Sequence, residues 1–206
     1  VRPRPPNRRS LRFALCVALG AAVLGLQWLR TAEHGVVGPI DTEGRRSAAV
    51  ATDEFTVEVT DVRVTGTVTD TSGLAPQPVE ANGVWVVVWV RVTATGTTLD
   101  ATSAELVMAD RTTYSPSLWF RDALDGDTAF PAAVPVHGAF VFEVPEDRLD
   151  RPSLALTHVG GADPRLAARA TVGLGIDAAD VAGDRSGVTL TPPERRPEEA
   201  AEVVRG

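Results

Sequence analysis

A chain of 206 residues with 44% apolar side chains has room for one folded domain plus appendages, and its wealth of Val and Thr disfavours a helical fold, because β-branched residues lose rotamer freedom in helices. Its formal charge of −7 is unevenly spread: residues 1–12 carry five Arg and no acid, whereas residues 31–206 hold 14 Arg against all 27 acids, a balance of −13. An acidic domain repels phosphate backbones, which excludes nucleic acid as the expected partner, and the lone cysteine, Cys16, excludes an intrachain disulfide.

The chain opens on a basic segment, residues 1–12, followed by FALCVALGAAVLGLQWL from Phe13 to Leu29, in which only Gln27 is clearly polar. As a helix rising about 1.5 Å per residue, this run spans roughly 26 Å of a hydrocarbon core about 30 Å thick. Its larger apolar side chains together favour insertion by roughly 2–5 kcal/mol. Trp28 stands where an interfacial aromatic belongs, and Arg30 can snorkel outward. The Arg excess before the run predicts a cytoplasmic N-terminus, a single-pass anchor in the plasma membrane, and everything after Arg30 outside. The alternative is a secreted soluble form released by signal cleavage. A cleavage site wants small residues, however, and Arg30 occupies that place in L-R-T-A-E-H, which favours an uncleaved anchor.

Residues 30–52 show neither a period of 2 nor one of 3.6 and read as a flexible tether. Residues 53–176 carry repeated strand signals. Phe55, Val57 and Val59 alternate with polar residues, and after Thr60-Asp61 the apolar parity flips to Val62, Val64 and Val68, which predicts a β-bulge. Gly83 then opens VWVVVWVRVTA, with Val84, Val86, Val88, Val90 and Val92 on one face and Trp85, Val87 and Trp89 on the other. That pattern predicts a central strand buried on one face throughout and on the other for half its length. AELVMAD follows, then a turn at Asp110-Arg111-Thr112 and a partner strand across TYSPSLWF. Next come an irregular acidic stretch, the alternating strand HGAFVFEVP, the Leu154–Leu156 strand, and a last strand from Ala170 to Ile176. Seven or eight short strands separated by turns predict an all-β sandwich. Residues 177–206 are charged, hold three Pro and no aromatic, and read as a disordered acidic tail in which Val188 and Leu190 could pair transiently with a sheet edge.

Several features match a known pattern in order: GVWVVVWVRVTATG running into a short turn, LVMADRTTY with a tyrosine after its turn, then FPAAVPVHGAFVFEVP and PSLAL. On these, Phe55 to Ile176 resembles a bacterial extracytoplasmic immunoglobulin-like domain family of unknown function, related to a secreted immunogenic antigen of actinobacteria. The resemblance implies an immunoglobulin-like β-sandwich outside the cytoplasm and carries no catalytic residue, cofactor or metal. The chain departs from the family at Ala94-Thr95, where Asn is common, and at Arg111-Thr112, where the hairpin turn usually holds Gly.

Chemistry-bearing clusters are few. His34, His137 and His158 are not at metal-ligand spacing, and no nucleophile elbow or dinucleotide-binding loop is present. No catalytic or cofactor-binding residue is therefore assigned. Asp122, Asp125 and Asp127 put three carboxylates around Gly126, a possible start on a calcium site, although without the spacing of an EF-hand loop. Of the aromatics, Trp89 reads as core, and Trp119-Phe120, flanked by Ser117 and Arg121, reads as a surface patch for a protein partner. The expectation is a non-enzymatic binding or assembly module of the cell envelope. A secreted module is the alternative, and a hydrolytic or metal-dependent enzyme the more remote one.

Overall fold

The computed structural model describes residues 18–21, 39–73, 75–160, 167–176 and 186–195, which fall into two units, Val1–Gly38 and Pro39–Gly206. In the first, residues 18–21 are helical; the rest of the predicted span from Phe13 to Leu29 lies outside the described residues. Among the described residues no helix is long and apolar enough to cross a membrane.

The second unit is built of strands β1 (Ile40–Arg45), β2 (Val50–Ala51), β3 (Phe55–Asp70), β4 (Gln77–Ala94), β5 (Thr102–Val107), β6 (Thr113–Tyr114), β7 (Val136–Val144), β8 (Ser153–His158), β9 (Ala168–Gly173), β10 (Val188–Thr189) and β11 (Glu194–Arg195). They form two sheets, ordered β1-β9-β8-β5-β6 and β10-β3-β4-β7-β11, with β2 also paired to β3. The inner faces supply one core, with Phe55, Val57, Val86, Val88, Phe140 and Phe142 from the larger sheet and Leu106, Leu154, Leu156, Ala170 and Val172 from the smaller. The expected β-sandwich is the architecture found.

The alternation in β3 and β4 is what fixes their register. Val59 pairs with Val90 and Asp61 with Trp89, so Thr60 is the extra residue of a bulge where the parity flips. A second irregularity, which the sequence did not signal, places Thr65 opposite Trp85 and Thr67 opposite Glu80. Four residues of β4, from Ala81 to Val84, there face the single Gly66. Among them, Gly83 is held where a Cβ would come within 2.3 Å of the Val144 carbonyl oxygen, so no larger residue fits.

β4 is fully buried from Val84 to Val88 and alternates thereafter, as its two-faced pattern predicts. The outer face has its own apolar cluster: Val68, Trp85, Val87, Phe120, Ala123, Ala139, Val141, Val188 and Leu190, with Trp89 partly buried against it. Trp85 is its centre, 1% exposed, with its indole N–H donating to the Val79 carbonyl at 3.1 Å. Burying such a side chain removes on the order of 150–250 Å² from water, roughly 4–6 kcal/mol of gross driving force.

Three boundaries differ from expectation. Within the predicted tether, β1 pairs in parallel with β9 over six residues, and β2 joins the larger sheet. IDTEGR has no alternation because an edge strand is held mainly by backbone hydrogen bonds. Within the predicted disordered tail, β10 pairs with β3 and β11 with β7, and Leu190 is completely buried; two apolar residues suffice because a prepared apolar surface receives them. Finally, the expected partner strand across TYSPSLWF stops at Tyr114, since Pro116 has no N–H to continue the ladder.

Candidate functional site

The segment from Ser117 to Leu124 links β6 to β7 and is tied down at both ends. The Ser117 N–H donates to the Val141 carbonyl at 2.7 Å, and the Leu124 N–H to the Ala139 carbonyl at 2.8 Å. Between these ties Phe120 drops into the outer cluster, edge-on to Trp85 with ring centroids 5.0 Å apart. The Arg121 N–H donates to Asp70 Oδ2 at 2.7 Å. In the other direction, Asp122 Oδ2 accepts from the Thr71 N–H at 2.9 Å and the Thr71 hydroxyl at 2.7 Å. The turn formed by Leu118 and Trp119 is thereby pushed outward, 85% and 78% exposed. The Trp119 N–H closes the turn on Ser117 Oγ at 3.4 Å.

The Trp119-Phe120 pair is therefore split. Phe120 is 4% exposed and belongs to the core, because it is the apolar residue between the two backbone ties that meets Trp85. Its place in the exposed patch is taken by Leu118, which sequence reasoning passed over. The available signal was Pro116-Ser117, which ends β6 and makes the next two residues a turn.

The acidic trio is dispersed among other tasks. Asp122 is 2% exposed and committed to Thr71. Asp125 Oδ1 accepts from the Asp127 N–H at 3.1 Å and from the Thr128 hydroxyl at 2.8 Å, closing a local turn. Among the described residues no three His, Cys, Asp or Glu side chains are gathered as metal ligands would be; Asp122 serves a long-range contact to Thr71 and Asp125 a local turn with Asp127 and Thr128. His158 Nδ1 lies 2.7 Å from Glu54 Oε2, joining the end of β8 to the start of β3. His137 lies in β7, paired with Arg91 of β4. His34 falls outside the described residues.

Asp70 is the other polar anchor of this region. Burial acts to raise its pKa, but hydrogen bonds from Ser72 and the Arg121 N–H, with a further contribution from Asp122, outweigh burial and hold it below the ordinary 3.8.

No family model matches the chain, and no curated protein does. Among solved structures, the chain is similar to an uncharacterized β-sandwich protein from Clostridium difficile 630, at 12% identity and a TM-score of 0.41 over 64% of this chain and 93% of that one. It is also similar to a secreted protein from Mycobacterium tuberculosis, MPT63, at 14% identity and a TM-score of 0.43 over 64% of this chain and 95% of the other. Neither likeness carries a function across.

Proposed function

We propose that this chain is a non-enzymatic, membrane-anchored, immunoglobulin-like module of the cell envelope, which meets a protein partner through the Leu118–Trp119 turn. The observation that carries the reading is that two large apolar side chains stand in solvent on a turn fixed from both sides by backbone hydrogen bonds. A pinned aromatic loses little conformational entropy on binding, which is why Trp recurs at the energetic centres of interfaces. The anchor rests on the apolar run from Phe13 to Leu29, and the outward orientation on the Arg excess before it. A binding role is favoured over a catalytic one because the sequence offers no nucleophile elbow and no metal-ligand spacing.

The test replaces Trp119 of the full-length chain with a photo-crosslinking phenylalanine analogue in cells, with the exposed Thr97 as control position. One discrete adduct from position 119, absent from position 97 and lost on Leu118→Ala, is expected. No adduct, or equal adducts from both positions, overturns the reading. N-terminal sequencing of the mature chain separates the two locations: a start beyond Arg30 with the protein in the medium identifies the secreted form.

A further inference from the structure

The bulge at Thr60 lies at one corner of the sandwich, beside the ends of β1 and β9. There a cleft of about 940 Å³ is lined by Arg45, Arg46 and Arg151, with Val59, Leu174 and Ile176 among its apolar residues. The last three are 3%, 1% and 8% exposed and form its floor, while Arg45 and Arg151 are exposed and form its rim. No acidic residue lines it among the described residues, although residues 31–206 carry nearly two acids for every Arg.

Two of the three guanidinium groups have carboxylate neighbours outside the cleft. Arg46 Nη2 lies 2.7 Å from Asp61 Oδ1, and Arg151 Nε lies 3.2 Å from Asp150 Oδ1. Each contact engages one of the five N–H donors that a guanidinium carries. Both pairs are solvent-accessible, a setting in which an ion pair is weak and is readily shared. The backbone is also unusual at this corner. Arg151 is held at φ 42 and Gly175 at φ 67, and the Leu174 N–H is bonded to the Pro152 carbonyl at 3.1 Å. A non-glycine residue in the left-handed region carries a local cost of the kind that recurs at ligand sites. Arg151 lines the cleft from this position.

We propose that this cleft binds an organic anion, a phosphate or carboxylate head carrying a short apolar chain. The head is held by Arg45, Arg46 and Arg151, and the chain lies over Val59, Leu174 and Ile176. Guanidinium forks match both heads bidentately. The inference does not depend on the Leu118–Trp119 reading.

The test is calorimetric titration of hexyl phosphate into the full-length chain in phosphatidylcholine nanodiscs, with empty discs subtracted. Saturable binding of one ligand per chain is expected, weakened at least about tenfold by Arg45→Gln with Arg151→Gln, which removes two charge-assisted contacts. Both residues are exposed, so an unchanged thermal midpoint confirms that the variant is folded. Inorganic phosphate and hexanol are each expected to bind at least about tenfold more weakly than hexyl phosphate, since each offers half of the recognised chemistry. Absence of saturable binding, equal binding of hexanol or of inorganic phosphate, or an unaffected variant overturns the proposal. Discs containing phosphatidylglycerol separate two sources of the anion: suppression of hexyl phosphate binding identifies a lipid headgroup, and undiminished binding a soluble metabolite.

Discussion

Asp122 and Thr71 are 51 residues apart in sequence, yet one carboxylate oxygen of Asp122 takes both the N–H and the hydroxyl of Thr71. With Asp70 accepting from the Arg121 N–H, each of two neighbouring Asp residues grips the backbone beside the other. This double clasp holds the distal end of the β3–β4 hairpin against the segment that presents Leu118 and Trp119. Asp122→Ala should destabilise the domain by about 1–3 kcal/mol, the loss of charge-assisted hydrogen bonds made by a buried carboxylate. Thr71 itself is exposed, so its N–H can turn to water and its hydroxyl to the Leu190 carbonyl, 3.3 Å away, and the loss is that of the clasp. Asp122→Asn retains an acceptor and should cost less. Urea unfolding of the two variants checks the order.

Acid should loosen the same clasp. The Asp70 carboxyl titrates below its ordinary value of 3.8 in the folded domain, so as pH falls the unfolded chain takes up that proton first. The stabilisation is complete above the unfolded value and is withdrawn as pH drops through the folded one. Asp110 acts in the same sense, held low by the backbone and side-chain hydrogen bonds of Thr112. Denaturant midpoints measured between about pH 2 and about pH 6 should fall less steeply for Asp70→Asn than for the wild type, and least steeply for Asp70→Asn with Asp110→Asn. An acid limb unchanged in both variants would contradict the assignment.

Adjacent aromatics should behave in opposite ways. Phe120→Ala empties a site against Trp85 and should cost about 3–5 kcal/mol. Trp119→Ala should leave stability within about 0.5 kcal/mol, as expected for an exposed position free of special features. Equal losses in chemical denaturation would show that the turn is not presented as described.

Arg111 is held at φ 69 in the turn between β5 and β6, with its N–H on the Met108 carbonyl at 2.9 Å. An L-residue there bears a conformational cost of about 1–2 kcal/mol, partly offset because glycine would give the unfolded chain about 0.4–1 kcal/mol of additional freedom. Arg111→Gly should therefore stabilise the domain by up to about 1 kcal/mol, read as a rise in thermal midpoint.

Sequence patterning reached the layered fold because Val84 to Val92 advertise two faces at once, and only a strand covered from both sides explains Trp85 and Val87. The bulge at Thr60 was legible from the parity change alone. Other features left no local trace. β1 is recruited by the edge of β9 rather than by its own side chains, and the burial of Leu190 depends on a surface assembled from residues scattered between Val68 and Val141. Which of Trp119 and Phe120 would turn inward was likewise decided by backbone ties to Val141 and Ala139, which hydropathy does not encode.

The placement of β10 against β3 and of β11 against β7 bears on what happens if this protein is clipped. These two short strands cap opposite margins of one sheet, where bare amides and carbonyls would otherwise be open templates for a neighbouring chain. A protease that removed everything after Ile176 would uncover the stretches of β3 and β7 that these strands cover, together with the apolar bed of Leu190. The trimmed domain should self-associate, turning a monodisperse species into one whose size grows with concentration.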